Sequence, residues 1–187
     1  MNIFFTASLR GKEKYLSNYK RLYNALSIKH KVFADHVFNL ELEEVSSWEP
    51  DYHFDYYVNI LNKIKECDCF VVELTSLSIN IEYEVSLALN LKKNILAFYW
   101  EDAKIKDLDF MDLFQDKEKI QLITYNSDNL EKVTQTGLKN VKNNLNKRFT
   151  ILLPTRIVNY LEKNSKDTSV PISVYIRQLI EAQIAVN

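Results

Sequence analysis

The chain has 187 residues, 47% of them apolar, and a net charge of −1. That length holds one α/β domain of about 150 residues plus a small appendage, and that apolar fraction excludes wholesale disorder. No apolar run reaches the roughly 18–20 residues of a membrane helix, and Cys67 and Cys69 are spaced for neither an easy disulfide nor a zinc site.

Residues 2–6 (NIFFT) read as a first strand and residues 8–11 (SLRG) as a loop. No basic segment or cleavage site precedes the strand, which points to the cytoplasm. Residues 13–28 follow as an amphipathic helix, with Tyr15, Tyr19, Leu22, Tyr23 and Leu26 near helical spacing. Its tyrosines read as core or subunit interface, with Tyr15 placed to border a pocket. Residues 31–35 (KVFAD) form the second strand. A loop of about a dozen residues around 46–51 carries Trp48 and Pro50, and the acidic run at 41–44 reads as solvated. Residues 53–66 are a second helix with Tyr57, Ile60, Leu61 and Ile64 as its apolar stripe. The third strand is 69–74. Its two cysteines read as buried thiols of a reducing compartment, and Glu73, inside the strand, reads as a buried structural residue. A helix over 81–91, a strand over 95–100, a short helix over 108–114, a strand over 120–125 (IQLITY) and a polar helix over 130–145 complete the series. Strands that alternate with helices predict a parallel sheet covered on both faces. The expected fold is α/β, a flavodoxin- or Rossmann-like three-layer domain of about five strands.

The last forty residues differ. Residues 148–154 (RFTILLP) read as a short alternating strand, 155–164 as a helix and 165–169 as a turn. Pro171 opens a second helix where proline is tolerated. One strand and two helices of this size cannot bury a core alone, so the segment pairs or docks. Residues 131–187 hold nine Lys/Arg against four Asp/Glu, a net of +5; residues 1–130 hold 15 against 21, a net of −6. An acidic body with a basic tail predicts two modules with different partners, over 1–145 and 147–187.

The stretch FVVELTSLSINIEYEVSLALNL (70–91) concentrates the chemistry. A strand runs into a polar loop, then into a helix whose first turns carry Glu82 and Glu84. Open α/β sheets bind ligands just outside the carboxyl ends of their strands, so Glu84 is the first candidate for a reacting group. The competing reading is an acid that favours the helix dipole. Ser8 and Arg10 read either as an ordinary turn or as an anion loop, and His36 as a structural residue or a site residue. His30 and His53 show no metal spacing, and no metal or cofactor is expected.

The segment Phe4-Phe5-Thr6-Ala7-Ser8-Leu9-Arg10-Gly11 resembles the first strand and phosphate loop of the deoxynucleoside 5′-monophosphate N-glycosidases, in the nucleoside 2-deoxyribosyltransferase superfamily, with the pattern F-x-G-S-I-R-G-G. Asp35-His36-Val37 resembles that family's E-H-V. Val72-Glu73-Leu74-Thr75 through Ser78 to Tyr83-Glu84-Val85 aligns on its A-E-V-T…S…Y-E-L. The three blocks occur in family order over residues 1–126. The resemblance implies that Glu84 attacks C1′ of a sugar, the base leaves, and water or another base resolves the glycosyl-enzyme. It implies a phosphate cradle of Ser8, Arg10, Gly11 and Ser78, with His36 at the substrate. The sequence departs from the pattern at two places. The family aspartate 24 residues before the nucleophile is Ile60 here, and Asp55 lies more than a turn away on the same helix. Family glycines fall at Asn80, Glu82 and Ser86, so the backbone lacks their freedom and a second carboxylate stands near Glu84, where it would raise a pKa.

RFTILLP…VPISVYIRQLI resembles a ribbon–helix–helix module, which dimerises by pairing strands and reads the major groove of DNA with the ribbon. With Phe149, Ile151 and Leu153 turned inward, Arg148, Thr150 and Leu152 face out, and Lys147, Arg156 and Lys163 stand near phosphates. Together the resemblances imply an enzyme that cleaves the N-glycosidic bond of a nucleotide, held as a dimer and tethered to DNA or a partner. They also fit a regulated effector that depletes nucleotides or NAD. The competing reading is a degenerate pocket that senses a nucleotide for a DNA-binding regulator.

Overall fold

The computed structural model describes residues 1–103, 119–143 and 151–186. Its strands are β1 (Asn2–Ala7), β2 (Lys31–Phe33), β3 (Cys69–Glu73), β4 (Asn94–Trp100) and β5 (Ile120–Tyr125). They form one parallel sheet in the order β2-β1-β3-β4-β5. The helices around them are α1 (Lys12–Ser27), the short α2 (Asp35–Phe38) and α3 (Leu42–Ser46), α4 (Pro50–Glu66), α5 (Ile79–Asn90) and α6 (Leu130–Asn143). The expected α/β class and five-stranded parallel sheet are both present.

Strand alternation divides the core in two. Ile3, Phe5, Val71, Leu96 and Phe98 face Tyr19, Leu22 and Leu26 of α1 and Leu138 and Val141 of α6. Phe4, Phe70, Val72, Ile95 and Ala97 face Ile60 and Ile64 of α4 and Val85 and Ala88 of α5. Every residue of β3 is buried, as a central parallel strand covered on both faces requires. Each large apolar side chain buried here contributes about 1.5–3 kcal/mol. At Gly137, α6 lies so close to the sheet that a Cβ would sit 2.7 Å from Ile123 Cδ1.

This strand order puts the topological switch between β1 and β3. The chain leaves β1 toward β2 on one side and leaves β3 toward β4 on the other. The loops after β1 and β3 therefore part, and a crevice opens between their carboxyl ends.

The segment from 31 to 52 departs most from expectation. β2 stops at Phe33, two residues short of the expected end, and Asp35–Phe38 is helical, so His36 sits on a helix. The expected loop around 46–51 contains the end of α3 and the start of α4, which begins at Pro50 with proline at a helix-compatible first position. The tie that shapes this segment is tertiary. Lys12 Nζ donates to the carbonyls of Phe38 (3.1 Å) and Leu40 (2.8 Å) and pairs with Glu41 Oε1 at 2.7 Å. The expected helix over 108–114 lies outside the described residues.

The chain divides into two compact units, Met1–Leu145 and Asn146–Asn187. The second contains α7 (Thr155–Thr168) and α8 (Ile172–Val186). α7 continues through most of the expected turn and ends at Ser169, which takes the left-handed conformation at φ 55°. Val170 N donates to Ser165 O (3.1 Å), and Ser165 Oγ donates to Val170 O (2.6 Å). Residues 151–154, expected to be strand, pair with no strand among the described residues. Ile151, expected inward, is 63% exposed, and Leu152 is 99% exposed. Lys147, Arg148, Phe149 and Thr150 lie outside the described residues.

Candidate active site

A cavity of about 230 Å³ occupies the crevice between β1 and β3. The end of β1 and its loop supply Thr6, Ser8 and Arg10; α2 supplies His36; α4 supplies Tyr56; and α5 with its cap supplies Ser78, Asn80 and Glu84. Leu42 and Val45 of α3 close one side. The segment that Lys12 clamps is therefore the one that carries His36 and this apolar wall.

Ser78 caps α5: its hydroxyl accepts from Ile81 N at 3.5 Å. The Ser78 O–H proton stays available to the cavity. Because the helix begins at Ile79, Glu84 stands in its second turn, beyond the reach of the helix dipole. The dipole reading of Glu84 therefore loses its geometric basis. Glu84 is 4% exposed, and its Oε2 is buried with no hydrogen-bond partner. Burial pushes its pKa up from 4.5 to about 7, with the Thr6 hydroxyl working in the opposite direction. The cause is burial, not the neighbouring Glu82 that the spacing singled out.

Ser8 Oγ is also buried without a partner. An orphaned buried polar atom costs about 1–3 kcal/mol, and here two of them border one cavity. Arg10 is exposed at its mouth. His36 stacks on Phe4 (ring centroids 4.9 Å apart) and places Nε2 3.2 Å from Thr6 Oγ1. Burial pulls its pKa down to about 4, so the ring is neutral at pH 7. Tyr56 is held well above the ordinary phenol range by burial and then by the charge of Glu84.

Gly11 is not among the residues that line the cavity. Its N–H donates to Ser8 O at 3.0 Å, and its Cα packs against Ser76 and Tyr19. It is the residue that lets the β1 loop close against the β3 loop. Ile60 is buried in the apolar core, so no carboxylate stands at the family aspartate position. Asp55 is exposed on α4 and Tyr15 lies off the cavity. Glu73 is fully buried and accepts from the Thr75 hydroxyl and from Tyr125 Oη (3.0 Å), a brace between β3 and β5. Both cysteines are free and buried. Among the described residues no three His, Cys, Asp or Glu gather as a metal site, and no helix is long and apolar enough to cross a membrane. Thr6 and Tyr56 escaped the sequence reading. For Thr6 a signal existed: it shares the buried face of β1 with Phe4, a polar residue where an apolar one is expected.

The chain is similar to 2′-deoxynucleoside 5′-phosphate N-hydrolases. A Nematostella vectensis protein carrying the name 2′-deoxynucleoside 5′-phosphate N-hydrolase 1 is 34% identical over 99 residues, which is 52% of this chain and 66% of that protein. The 5-hydroxymethyl-dUMP N-hydrolase of Rattus norvegicus is 29% identical over 98 residues, 52% of this chain and 60% of the rat protein. The chain thus spans less than two thirds of the length of either relative. The structure of the Clostridium botulinum CMP N-glycosidase superposes with a TM-score of 0.46 at 20% identity, over 74% of this chain and 98% of that one. Residues 146–184 match the family model of the ribbon-helix-helix domain.

Proposed function

We propose that this protein cleaves the N-glycosidic bond of a nucleotide, with Glu84 as nucleophile. The observation that carries this reading is the buried, unpartnered Oε2 of Glu84 in a cavity shared with the unpartnered hydroxyl of Ser8. In the reaction the ionised carboxylate forms a bond to C1′ of the sugar as the C1′–N bond breaks through an oxocarbenium-like state. The base leaves with the electron pair and takes up a proton. Water then attacks C1′ and frees Glu84, or a second base does so in a transfer. Ser8, Ser78 and Arg10 supply two hydroxyls and a guanidinium for an anionic group, and Leu42, Val45 and Tyr56 supply an apolar wall for a base. A pKa near 7 places Glu84 where it is substantially ionised at neutral pH, so kcat/KM rises with pH through about 7.

The test is a mass-spectrometric turnover screen over deoxynucleoside mono- and triphosphates, nucleosides and NAD. Free base released by the wild type and not by Glu84→Ala supports the reading; no release from any candidate removes it. One observation favours a second reading, a nucleotide sensor without turnover: Ile60 leaves no carboxylate to assist the departing base. The sign of that reading is a ligand that raises the melting temperature with no product formed.

The C-terminal unit serves in this proposal as a dimerising module that contacts DNA through Lys147, Arg148, Thr150 and Arg156. A glycosidase joined to such a module suits a regulated effector that depletes nucleotides or NAD. The support is the unpaired segment 151–154 with its exposed Ile151 and Leu152, which offers an apolar strand to a second copy. Ile151→Asp is expected to turn a dimer into a monomer in light-scattering mass measurements, and to abolish duplex-DNA binding with it.

A further inference from the structure

We propose that the amino edge of the sheet in the first unit holds the phosphate backbone of duplex DNA, at a cavity between α1 and α6; the choice of duplex DNA rests on the reading of the C-terminal unit as DNA-binding. In a parallel sheet all strands begin at one edge. Here the residues at those beginnings are mostly basic: Lys29 and Lys31 at β2, Lys92 before β4 and Lys119 before β5. Glu66 and Asp68, before β3, are the exceptions, and Asp68 Oδ2 accepts from Asn2 N at 2.8 Å. The segments that leave the carboxyl ends carry acids instead: Asp35 and Glu41 after β2, Glu82 after β3, Glu101 and Asp102 after β4. The excess of acids over residues 1–130 is thus gathered at the carboxyl edge and leaves the amino edge basic.

Between α1 and α6 this edge opens into a cavity of about 360 Å³. Ala25, Ile28 and Leu138 line it together with the exposed Lys29, Lys139 and Lys142, and no Asp or Glu does. Among the described residues Lys12–Glu41 is the only ion pair, so none of these three lysines is neutralised by a protein carboxylate. The dipole of α6 accounts for Lys142, in its last turn. It does not account for Lys139, which stands before that turn. The charge also runs on along the chain. From Lys132 to Leu161 there are six bases (Lys132, Lys139, Lys142, Lys147, Arg148 and Arg156) and no acid. That stretch passes from α6 into residues 146–184, which match the ribbon-helix-helix domain. A basic stretch of this length suits a polyanion better than a single phosphate, and a duplex presents about one negative charge per 1.7 Å of its axis. Lysines on phosphates add affinity and register without reading bases. The Glu84 cavity opens at the opposite, carboxyl edge, so the two sites do not overlap.

The test is fluorescence anisotropy of a labelled short duplex with the full chain, repeated over a range of salt concentrations. Lys139→Gln/Lys142→Gln is expected to weaken binding by the same factor on unrelated sequences and to flatten the slope of log K against log salt by about 2, the scale of two lost phosphate contacts. Both lysines are exposed, so the melting temperature of the double variant should equal that of the wild type. Arg156→Gln, in the second unit, is measured beside it. An unchanged slope in Lys139→Gln/Lys142→Gln with weakened binding in Arg156→Gln overturns this proposal and leaves the ribbon reading standing. A flattened slope in the double variant with no effect of Arg156→Gln supports the amino edge and counts against the ribbon reading. No duplex binding by the wild type overturns both. Inorganic phosphate that raises the melting temperature of the wild type and not of the double variant, with no duplex bound, would make the occupant a free phosphate and overturn the duplex.

Discussion

Glu84→Gln is expected to lower turnover by roughly 10⁴-fold, the scale of removing a covalent nucleophile, and to raise the melting temperature at pH 8. Both effects come from one cause. Glutamine keeps the shape of the side chain and cannot form the glycosyl ester. It also removes a buried group whose folded pKa, about 7, exceeds its ordinary value of 4.5. A raised acid pKa means that the folded protein holds the proton more tightly than the unfolded chain. The stability tied to that proton is present at low pH and is lost as pH rises from about 4.5 through 7. Above pH 7 the native carboxylate is ionised in a buried site at a cost of about 3 kcal/mol relative to a neutral side chain. Glu84→Gln escapes that cost, so its advantage over wild type should be largest at pH 8 and nearly gone at pH 5. Thermal melts at the two pH values check it. His36 titrates in the opposite sense. Its folded pKa is depressed to about 4, so it favours the folded state at neutral pH and loses that contribution as pH falls through 6.5 toward 4. Glu84→Gln leaves the His36 contribution in place in both proteins, so the difference between them reports Glu84 alone.

A group that destabilises its own fold at working pH signals function more strongly than a spacing in the sequence does. The sequence still located the group. The apolar runs around Phe5, Val71 and Leu96 read as strands of a parallel sheet, and a carboxylate just past such a strand lies at the ligand-binding edge. Ser8, Arg10, His36, Ser78 and Glu84 all border one cavity. What local pattern could not show was set by contacts distant in sequence. Asp35–Phe38 is too short to be a helix by periodicity, and Lys12 ties its end down from 26 to 29 residues away. Tyr56 reaches the cavity from a helix whose apolar stripe in the sequence starts one residue later, at Tyr57, and runs through Ile60, Leu61 and Ile64. The alternation of residues 148–154 is legible in the sequence, yet among the described residues 151–154 pair with no strand. Gly11 carries a resemblance to a phosphate loop in the sequence, and the structure adds a steric part: it stands where the β1 loop meets Ser76 and Tyr19.

That steric part makes Gly11→Ala the substitution with the largest expected effect on folding, a loss of about 3 kcal/mol or more. The backbone at Gly11 has φ −84° and ψ −8°, which any residue adopts, so conformational freedom is not the issue. The added methyl would meet Ser76 Cβ and the Tyr19 hydroxyl far inside contact distance, with Ser76 Oγ at 2.8 Å. Neither side can yield cheaply. Ser76 Cβ is fixed to its own backbone, and the Tyr19 ring is fully buried with its hydroxyl donating to Ser8 O at 3.3 Å. The β1 loop must therefore lift off the β3 loop, and Ser8 and Arg10 lift with it. Melting should show the destabilisation, and any surviving activity should show a raised KM before a lowered kcat, since the residues displaced are those that hold the anion. Tyr19→Phe removes one of the three clashing atoms while losing a single long hydrogen bond. The double variant Gly11→Ala/Tyr19→Phe should therefore be more stable than Gly11→Ala alone, a coupling that a double-mutant cycle reads directly. Equal stability of the two would place the strain on Ser76, and an unperturbed Gly11→Ala would mean that the two loops do not meet at this residue.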